Sequence, residues 1–347
     1  MTDTTTDDLE LRLADESDGD AIGTLFSNSP DGGAISFVPR FESNPYVAYA
    51  ALRPETTGFV AETPDGDVAG VGFVSFTEAR FGGTLRPAAL LNALAVHPDY
   101  RGHGLAKRLC QRRIGYARDA LGEDAVVFAN IQSGNDPSRA VADSWAETFT
   151  HDFLMYPTEP RSSATEPDGY EVRDATPDEY EAVAEGANAF YATEEVYRPY
   201  DAEGLGHRLA DAPLEEPLHR YVVAVSEGEV LAGGFVTEMH RAMSLVVHSV
   251  APELEAADEL PSTVPESREI RMKLLADCWY APGEEAAVRA LWETVRAEDT
   301  GENRITLNYD PDGPLGDVLG LEPEGGAMGL SMAVSGPTDD GPIAPLF

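Results

Sequence analysis

The sequence predicts an α+β chain made of two tandem, related halves. Each half reads as three layers, a mixed and mostly antiparallel central sheet flanked by helices. Three observations carry this. The chain has 347 residues, room for about two ordinary domains. Apolar runs with strand character alternate with amphipathic helix patterns throughout. The opening pattern also recurs: Tyr170-Glu171-Val172-Arg173-Asp174 echoes Leu9-Glu10-Leu11-Arg12-Leu13, and Ala232-Gly233-Gly234-Phe235-Val236 echoes Ala69-Gly70-Val71-Gly72-Phe73-Val74. Pairing Val172 with Leu11 gives an offset of 161 and pairing Phe235 with Phe73 gives 162, which argues for duplication.

In the first half, residues 9–13 form a short strand pattern. Residues 15–26 follow as a helix capped by Asp15 or Ser17. Residues 42–52 have helical character but carry Pro45. Residues 59–63 and 68–76 read as a hairpin around Pro64-Asp65-Gly66-Asp67, where Asp-Gly supplies the turn. The apolar run 88–96 suits a strand buried on both faces. A helix is expected over 104–121, a buried strand over 125–130 and a last helix over 137–149. Residues 156–168 hold three prolines and no periodicity, and read as a linker. In the second half the hairpin recurs at 221–225 and 230–237. An acidic, proline-bearing insertion follows at 252–267, then a strand at 270–279 and a helix at 284–297. The expected division is 1–157, a linker 158–168, 169–336 and a tail 337–347.

Charge excludes several functions. With 62 acidic against 24 basic residues the net charge is −38. Nucleic acids and anionic membrane surfaces are poor partners for such a chain. Lysine occurs only at Lys107 and Lys273. Acid-rich, lysine-poor composition resembles cytoplasmic proteins of salt-accumulating organisms; near 1 M salt the Debye length is about 3 Å, so self-repulsion is screened. Cys110 and Cys278 sit in apolar patterns and read as small buried hydrophobes. Seven scattered histidines give no metal spacing. The polar start and the lack of a spanning apolar run point to a cytoplasmic protein.

One segment is sharply informative: Leu94-Ala95-Val96-His97-Pro98-Asp99-Tyr100-Arg101-Gly102-His103-Gly104-Leu105-Ala106. A buried strand ends, a tight loop follows and a helix begins. Gly102 and Gly104 allow positive φ and close backbone approach. Amides of residues 101–106 would converge at a helix N-terminus, an anion site worth about 0.3–1 kcal/mol per charge. Residues 101–118 contain six of the 24 basic residues and no acid. An ordinary amphipathic helix with a basic solvated face is the plainer alternative.

Val96-x-Pro98-x-x-Arg101-Gly102-x-Gly104-x-Ala106 after an apolar strand resembles the acetyl-coenzyme A loop of GCN5-related N-acetyltransferases (GNAT), whose pattern is Arg/Gln-x-x-Gly-x-Gly/Ala. Arg101, Gly104 and Ala106 match it, and the likeness extends across the whole first half. The resemblance implies an N-acetyltransferase that passes an acetyl group from acetyl-CoA directly to a primary amine. It implies a pyrophosphate held by amides of Arg101, Gly102, His103, Gly104, Leu105 and Ala106. The pantetheine arm would pair with Leu94, Ala95 and Val96 where two strands splay apart. An amide at the splay would stabilise the thioester oxygen. Asn135 stands where the family contacts the cofactor. Ser144 stands where many members place a catalytic Tyr, and Leu90, Leu91 and Asn92 where some place a Glu base, so a solvent-relayed base is expected. No metal is implied.

The second half departs from this pattern. It has Pro282-Gly283-Glu284-Glu285 where the loop belongs, and carboxylates there would repel a pyrophosphate. It reads as a degenerate copy that shapes the substrate cleft or a homodimer. Residues 36–44 and 201–211 are candidate linings of the acceptor site. Acidity favours amines or polyamines as acceptors, though it is spread over the whole chain. A non-catalytic acyl-CoA sensor or scaffold is the alternative function.

Overall fold

The structure is a computed structural model that describes residues 8–32, 35–158, 169–252, 255, 264–298, 303–322, 327–339 and 341–344. The first half runs β1 (Glu10–Leu13), α1 (Gly19–Ser27), β2 (Asp31–Gly32), β3 (Ile35–Phe41), α2 (Pro45–Leu52), β4 (Thr56–Glu62), β5 (Val68–Phe81), β6 (Thr84–Val96), α3 (Leu105–Leu121), β7 (Val126–Gln132), α4 (Asp136–Ala142), β8 (Thr148–Phe149) and β9 (Phe153–Thr158). The second runs β10 (Glu171–Asp174), α5 (Tyr180–Phe190), α6 (Ala202–Ala210), β11 (His219–Ser226), β12 (Glu229–Thr237), β13 (Met243–Val250), β14 (Glu269–Tyr280), α7 (Glu285–Ala297), β15 (Asn303–Tyr309), α8 (Leu315–Leu319) and β16 (Met328–Ser335).

The main sheet has the order β1-β4-β5-β6-β7-β16-β9-β15-β14-β12-β11-β10. Its pairs are antiparallel except β6–β7 and β14–β15. The order reads almost as its own mirror image about β16–β9. Each half closes its sheet with the other half's last strand: β16 pairs β7, and β9 pairs β15. The two exchanged strands then pair with each other, Leu330 opposite Phe153 through Met328 opposite Met155. A second link joins β3 to β13, from Phe41 opposite Met243 to Ile35 opposite Val250. Ala333, fully buried, belongs to the core beneath α3 although it lies in the last strand of the chain.

The correspondence between the halves reaches individual hydrogen bonds. Arg12 grips Asp18 with two bonds of 2.8 and 2.7 Å, and the Asp15 amide donates to the same carboxylate. Arg173 grips Glu179 at 2.8 and 2.7 Å, and the Thr176 amide donates to it. Each partner of the second set lies 161 residues after its counterpart.

Several local expectations shift for physical reasons. Residues 16–18 form a 3-10 turn capped by Asp15, and α1 starts only at Gly19. Pro45 opens α2 at its first turn, where its missing N–H costs nothing, under an Asn44 cap. The helix expected over 137–149 stops at Ala142. Beyond it the Glu147 and Thr150 amides donate to Val334 and Met332 of β16, so the exchanged strand captures this backbone. Tyr156, Pro157 and Thr158, read as linker, are the end of β9. The rest of that stretch, 159–168, and most of the 252–267 insertion lie outside the described residues. No helix among the described residues is long and apolar enough to cross a membrane.

Because the sheet is shared, the full chain should melt in one calorimetric transition. Ala333→Asp, which buries a carboxylate, should destabilise the whole molecule by about 3 kcal/mol or more. Two separated transitions in the wild type would contradict the exchange.

Candidate active site

β6 and β7 pair only from Ala88–Val126 to Leu90–Phe128 and then diverge. The amide of His97 donates to Ala69 of β5 at 2.9 Å. By strand alternation Leu94 and Val96 therefore turn their backbone polar groups toward the opening, while Ala95 faces β5. The Val96 carbonyl accepts from the Arg101 guanidinium at 2.9 Å and the Ser29 hydroxyl at 3.2 Å. Leu94 is thus the better placed of the two for an extended ligand.

A bulge marks the start of the opening. Ala93 and Leu94 stand opposite the single Gly72, between the pairs Phe73–Asn92 and Val71–Ala95. Ala93 takes φ 49°, a left-handed conformation uncommon for alanine. The second half repeats it: Asp277 (φ 50°) and Cys278 stand opposite Gly234. In the first half Arg113 fills the bulge. It is 1% exposed, and its Nη1 donates to the Phe73 and Asn92 carbonyls at 2.8 and 3.0 Å. Gly72 makes room, since a Cβ there would lie 2.8 Å from the guanidinium carbon.

At the mouth, Gly102 (φ 76°) and Gly104 (φ 84°) are both left-handed, and a Cβ on either would meet nothing within 4 Å. Their glycine requirement is conformational, and open space lies above them. Gly104 opens α3 without a side-chain cap. Arg101, Gly102, His103 and Gly104 are exposed, Ala106 is half-buried, and Leu105 is buried in the core. The first-turn amides of α3 have no carbonyl inside the helix and can bind an anion.

Not all of the basic window serves that mouth. Arg113 is structural, Arg112 lies over the Phe59 ring at 5.4 Å, Arg108 donates to the Leu9 carbonyl and Arg118 to the Ser335 hydroxyl. Asn135 caps α4, accepting from the Ser138 amide at 3.1 Å. Ser144 is exposed beyond the end of α4, and its hydroxyl donates to the Val141 carbonyl at 2.6 Å. Asn92, beside the bulge, donates to Ser75 at 3.1 Å, and Ser75 also meets Thr56 at 2.7 Å.

Sequence reasoning missed a cavity between the halves. Ser75 and Leu90 of the first half form one wall; Phe235, Thr237 and Asp277 of the second form another. Leu90 is both a wall of this cavity and the last residue of β6 to pair with β7. Arg53, Arg198 and Arg208 also line it, among largely apolar neighbours such as Phe76 and Val196. Of the segments expected to line an acceptor site, 201–211 contributes Arg208, whereas residues 35–41 are engaged as β3 against β13. Nothing in the spacing of positions 53, 198 and 208 signals convergence, which comes from the packing of the halves.

In the second half Gly283 alone is left-handed in the loop before α7; Glu284 stands at the N-cap position without a side-chain cap, its carboxylate accepting from the Tyr170 hydroxyl at 3.0 Å, and Glu285 follows in the first turn. Trp279, 2% exposed, fills the interior there and donates to the Tyr221 hydroxyl at 2.9 Å.

Residues 35–144 match the model of the acetyltransferase (GNAT) family. That GNAT match spans about a third of the chain and includes β6, the glycine loop and α3. No curated protein sequence matches. In fold the chain is similar to Saccharomyces cerevisiae N-myristoyltransferase with bound myristoyl-CoA, with TM-score 0.59 and 11% identity over 97% of this chain and 84% of that one. It is also similar to a GCN5-related N-acetyltransferase from Sphaerobacter thermophilus, with TM-score 0.58 and 13% identity over 97% and 99%. A third likeness is to a GCN5-related N-acetyltransferase from Kribbella flavida, with TM-score 0.52 and 16% identity over 95% and 72%.

Two outcomes follow from this geometry. Arg113→Ala leaves the Phe73 and Asn92 carbonyls buried without a donor, and should cost about 3 kcal/mol in denaturant unfolding. His219, 8% exposed beside Thr237, is held neutral by burial and by the fields of Arg208 and Arg53, with its pKa pushed down to about 3. The unfolded chain binds this proton near pH 6.5 and the folded chain does not, so stability is lost as pH falls from 6.5 toward 3. His219→Gln should flatten the stability–pH curve in that window by up to about 1.4 kcal/mol per pH unit.

Proposed function

We propose that the chain is an N-acetyltransferase that uses acetyl-CoA as acyl donor and a primary amine as acceptor, with its active site in the first half. The observation that carries this is the parting of β6 from β7 after Leu90, together with the left-handed glycines that open α3. Amides of residues 102–106 would bind the donor's pyrophosphate, with Asn135 at the rim; the Arg101 amide, expected among them, donates to the Pro98 carbonyl at 3.2 Å instead. Leu94 would pair with its pantetheine amides. A backbone N–H at the Ala93–Leu94 bulge would stabilise negative charge on the thioester oxygen. The acceptor nitrogen forms the new C–N bond as the C–S bond breaks, and the proton it loses ends on the coenzyme A thiol. Asn92 and Ser75 can hold a water for that transfer, which suits a relayed base. The acidic first turn of α7 supports reading the second half as a copy without a donor site. The composition supports a salt-adapted, cytoplasmic protein assayed best in concentrated salt.

A second reading, a non-catalytic acyl-CoA sensor, draws on the Ser144 hydroxyl being engaged by a backbone carbonyl. Two experiments decide. Acetyl-CoA should bind the wild type in calorimetry, and Gly104→Glu should weaken it by about tenfold or more, since it places a carboxylate at a left-handed helix start. No binding, or binding indifferent to that change, rules out the donor site. Single-turnover thiol release with an amine panel separates enzyme from sensor: a sensor binds and releases nothing.

A further inference from the structure

The cavity between the halves runs against the charge of the rest of the chain. In a protein of net charge −38, its lining has three arginines and one carboxylate, Asp277. That carboxylate accepts a short hydrogen bond from Tyr200, and burial pushes its pKa up. Arg208 stacks over the Phe235 ring at 3.9 Å, and its buried Nε has no acceptor among the described residues. Arg198 is exposed at the cavity's edge. Both act on Asp277 through their field, and neither is in direct ion-pair contact with a carboxylate among the described residues. The guanidinium of Arg53 is destabilised by burial and by Arg208, which lowers its pKa to about 10. Ser75 and Thr237 also line it, their hydroxyls bonded to Thr56 and Asn92 and to His219 respectively. Carboxylates are abundant in this chain, so the cationic lining is not a by-product of composition. Such a site is a receptor for an oxyanion.

Its position gives it a role. Ser75 pairs with Leu90 across β5–β6, and Leu90 is the last residue before the sheet opens. The cavity therefore abuts the point where the acyl group would emerge.

We propose that this cavity is the acceptor subsite and that it selects amines bearing an oxyanion, a carboxylate or a phosphate, held by Arg53, Arg198 and Arg208. This rests on the acyl-transfer reading above, and it replaces the polyamine-type acceptor that overall acidity suggests.

Two measurements on the full chain test it. The first follows coenzyme A release from acetyl-CoA with matched acceptors: amino acids against their α-carboxamides, and phosphoethanolamine against ethanolamine. The oxyanion member of a pair should have the higher kcat/KM by about tenfold or more, and the pair that shows it identifies the oxyanion. Arg208→Gln and Arg198→Gln should bring the ratio toward unity with acetyl-CoA affinity unchanged, and Arg208→Lys should recover part of it. Arg198 is exposed, so its variant keeps the test alive if Arg208→Gln fails to fold. The second needs no donor: succinate and inorganic phosphate are titrated by ligand-observed NMR. The wild type should bind one of them, and the Gln variants should bind it about tenfold more weakly. Equal use of both members of every pair, no binding of either probe, or binding indifferent to both substitutions overturns the proposal. Failure to bind acetyl-CoA overturns the acyl-transfer reading alone, and the second measurement then decides on the cavity.

Discussion

β16 hydrogen-bonds along β7 from Ser335 to Leu330, and β9 along β15 from Leu154 to Thr158, so neither half closes its sheet with its own chain. An open strand edge exposes a row of unpaired backbone groups, and exchange removes two such edges at once. It also fixes the halves in one relative position, because the exchanged strands pair with each other at the centre. The cavity lined by Ser75 and Leu90 on one side and Thr237 and Asp277 on the other is a consequence of that position. The sheet of the first half, including β7 beside the opening, thus depends on a strand contributed by the second.

The two halves carry equivalent bulges in different surroundings. Gly72 and Gly234 each stand opposite two residues of the neighbouring strand, and each bulge begins with a left-handed residue. In the first half the left-handed residue is Ala93, and Arg113 satisfies the carbonyls beside it from the helix side. This leaves the opposite side, toward the splayed edge, free for a ligand. In the second half the left-handed residue is Asp277, whose carboxylate turns into the cavity and meets Tyr200. One bulge borders the parting of β6 from β7; the other forms part of the wall of the cavity between the halves.

Much of the fold was legible because its cues are local. The Asp-Gly turn between β4 and β5, the apolar β6 and the loop through Gly104 all depend on residues close in sequence. The 161-residue offset is legible for the same reason: Arg12 and Arg173 each serve a carboxylate six residues ahead. What failed depended on partners far away. The helix expected to reach Phe149 ends at Ala142, since its continuation is drawn into pairing with β16. Arg113 counted among the six basic residues of 101–118, yet its guanidinium is needed inside.

From the residues alone came the fold class and the left-handed glycines before α3, each set by periodicity, turn chemistry or glycine conformation over a few positions. The exchange of last strands, the burial of Arg113 and the meeting of Arg53, Arg198 and Arg208 were decided only in the tertiary structure. The reason is physical: hydrogen-bond partners and electrostatic neighbours are chosen by proximity in space. Residues 145 positions apart, such as 53 and 198, share no local signal that would announce it.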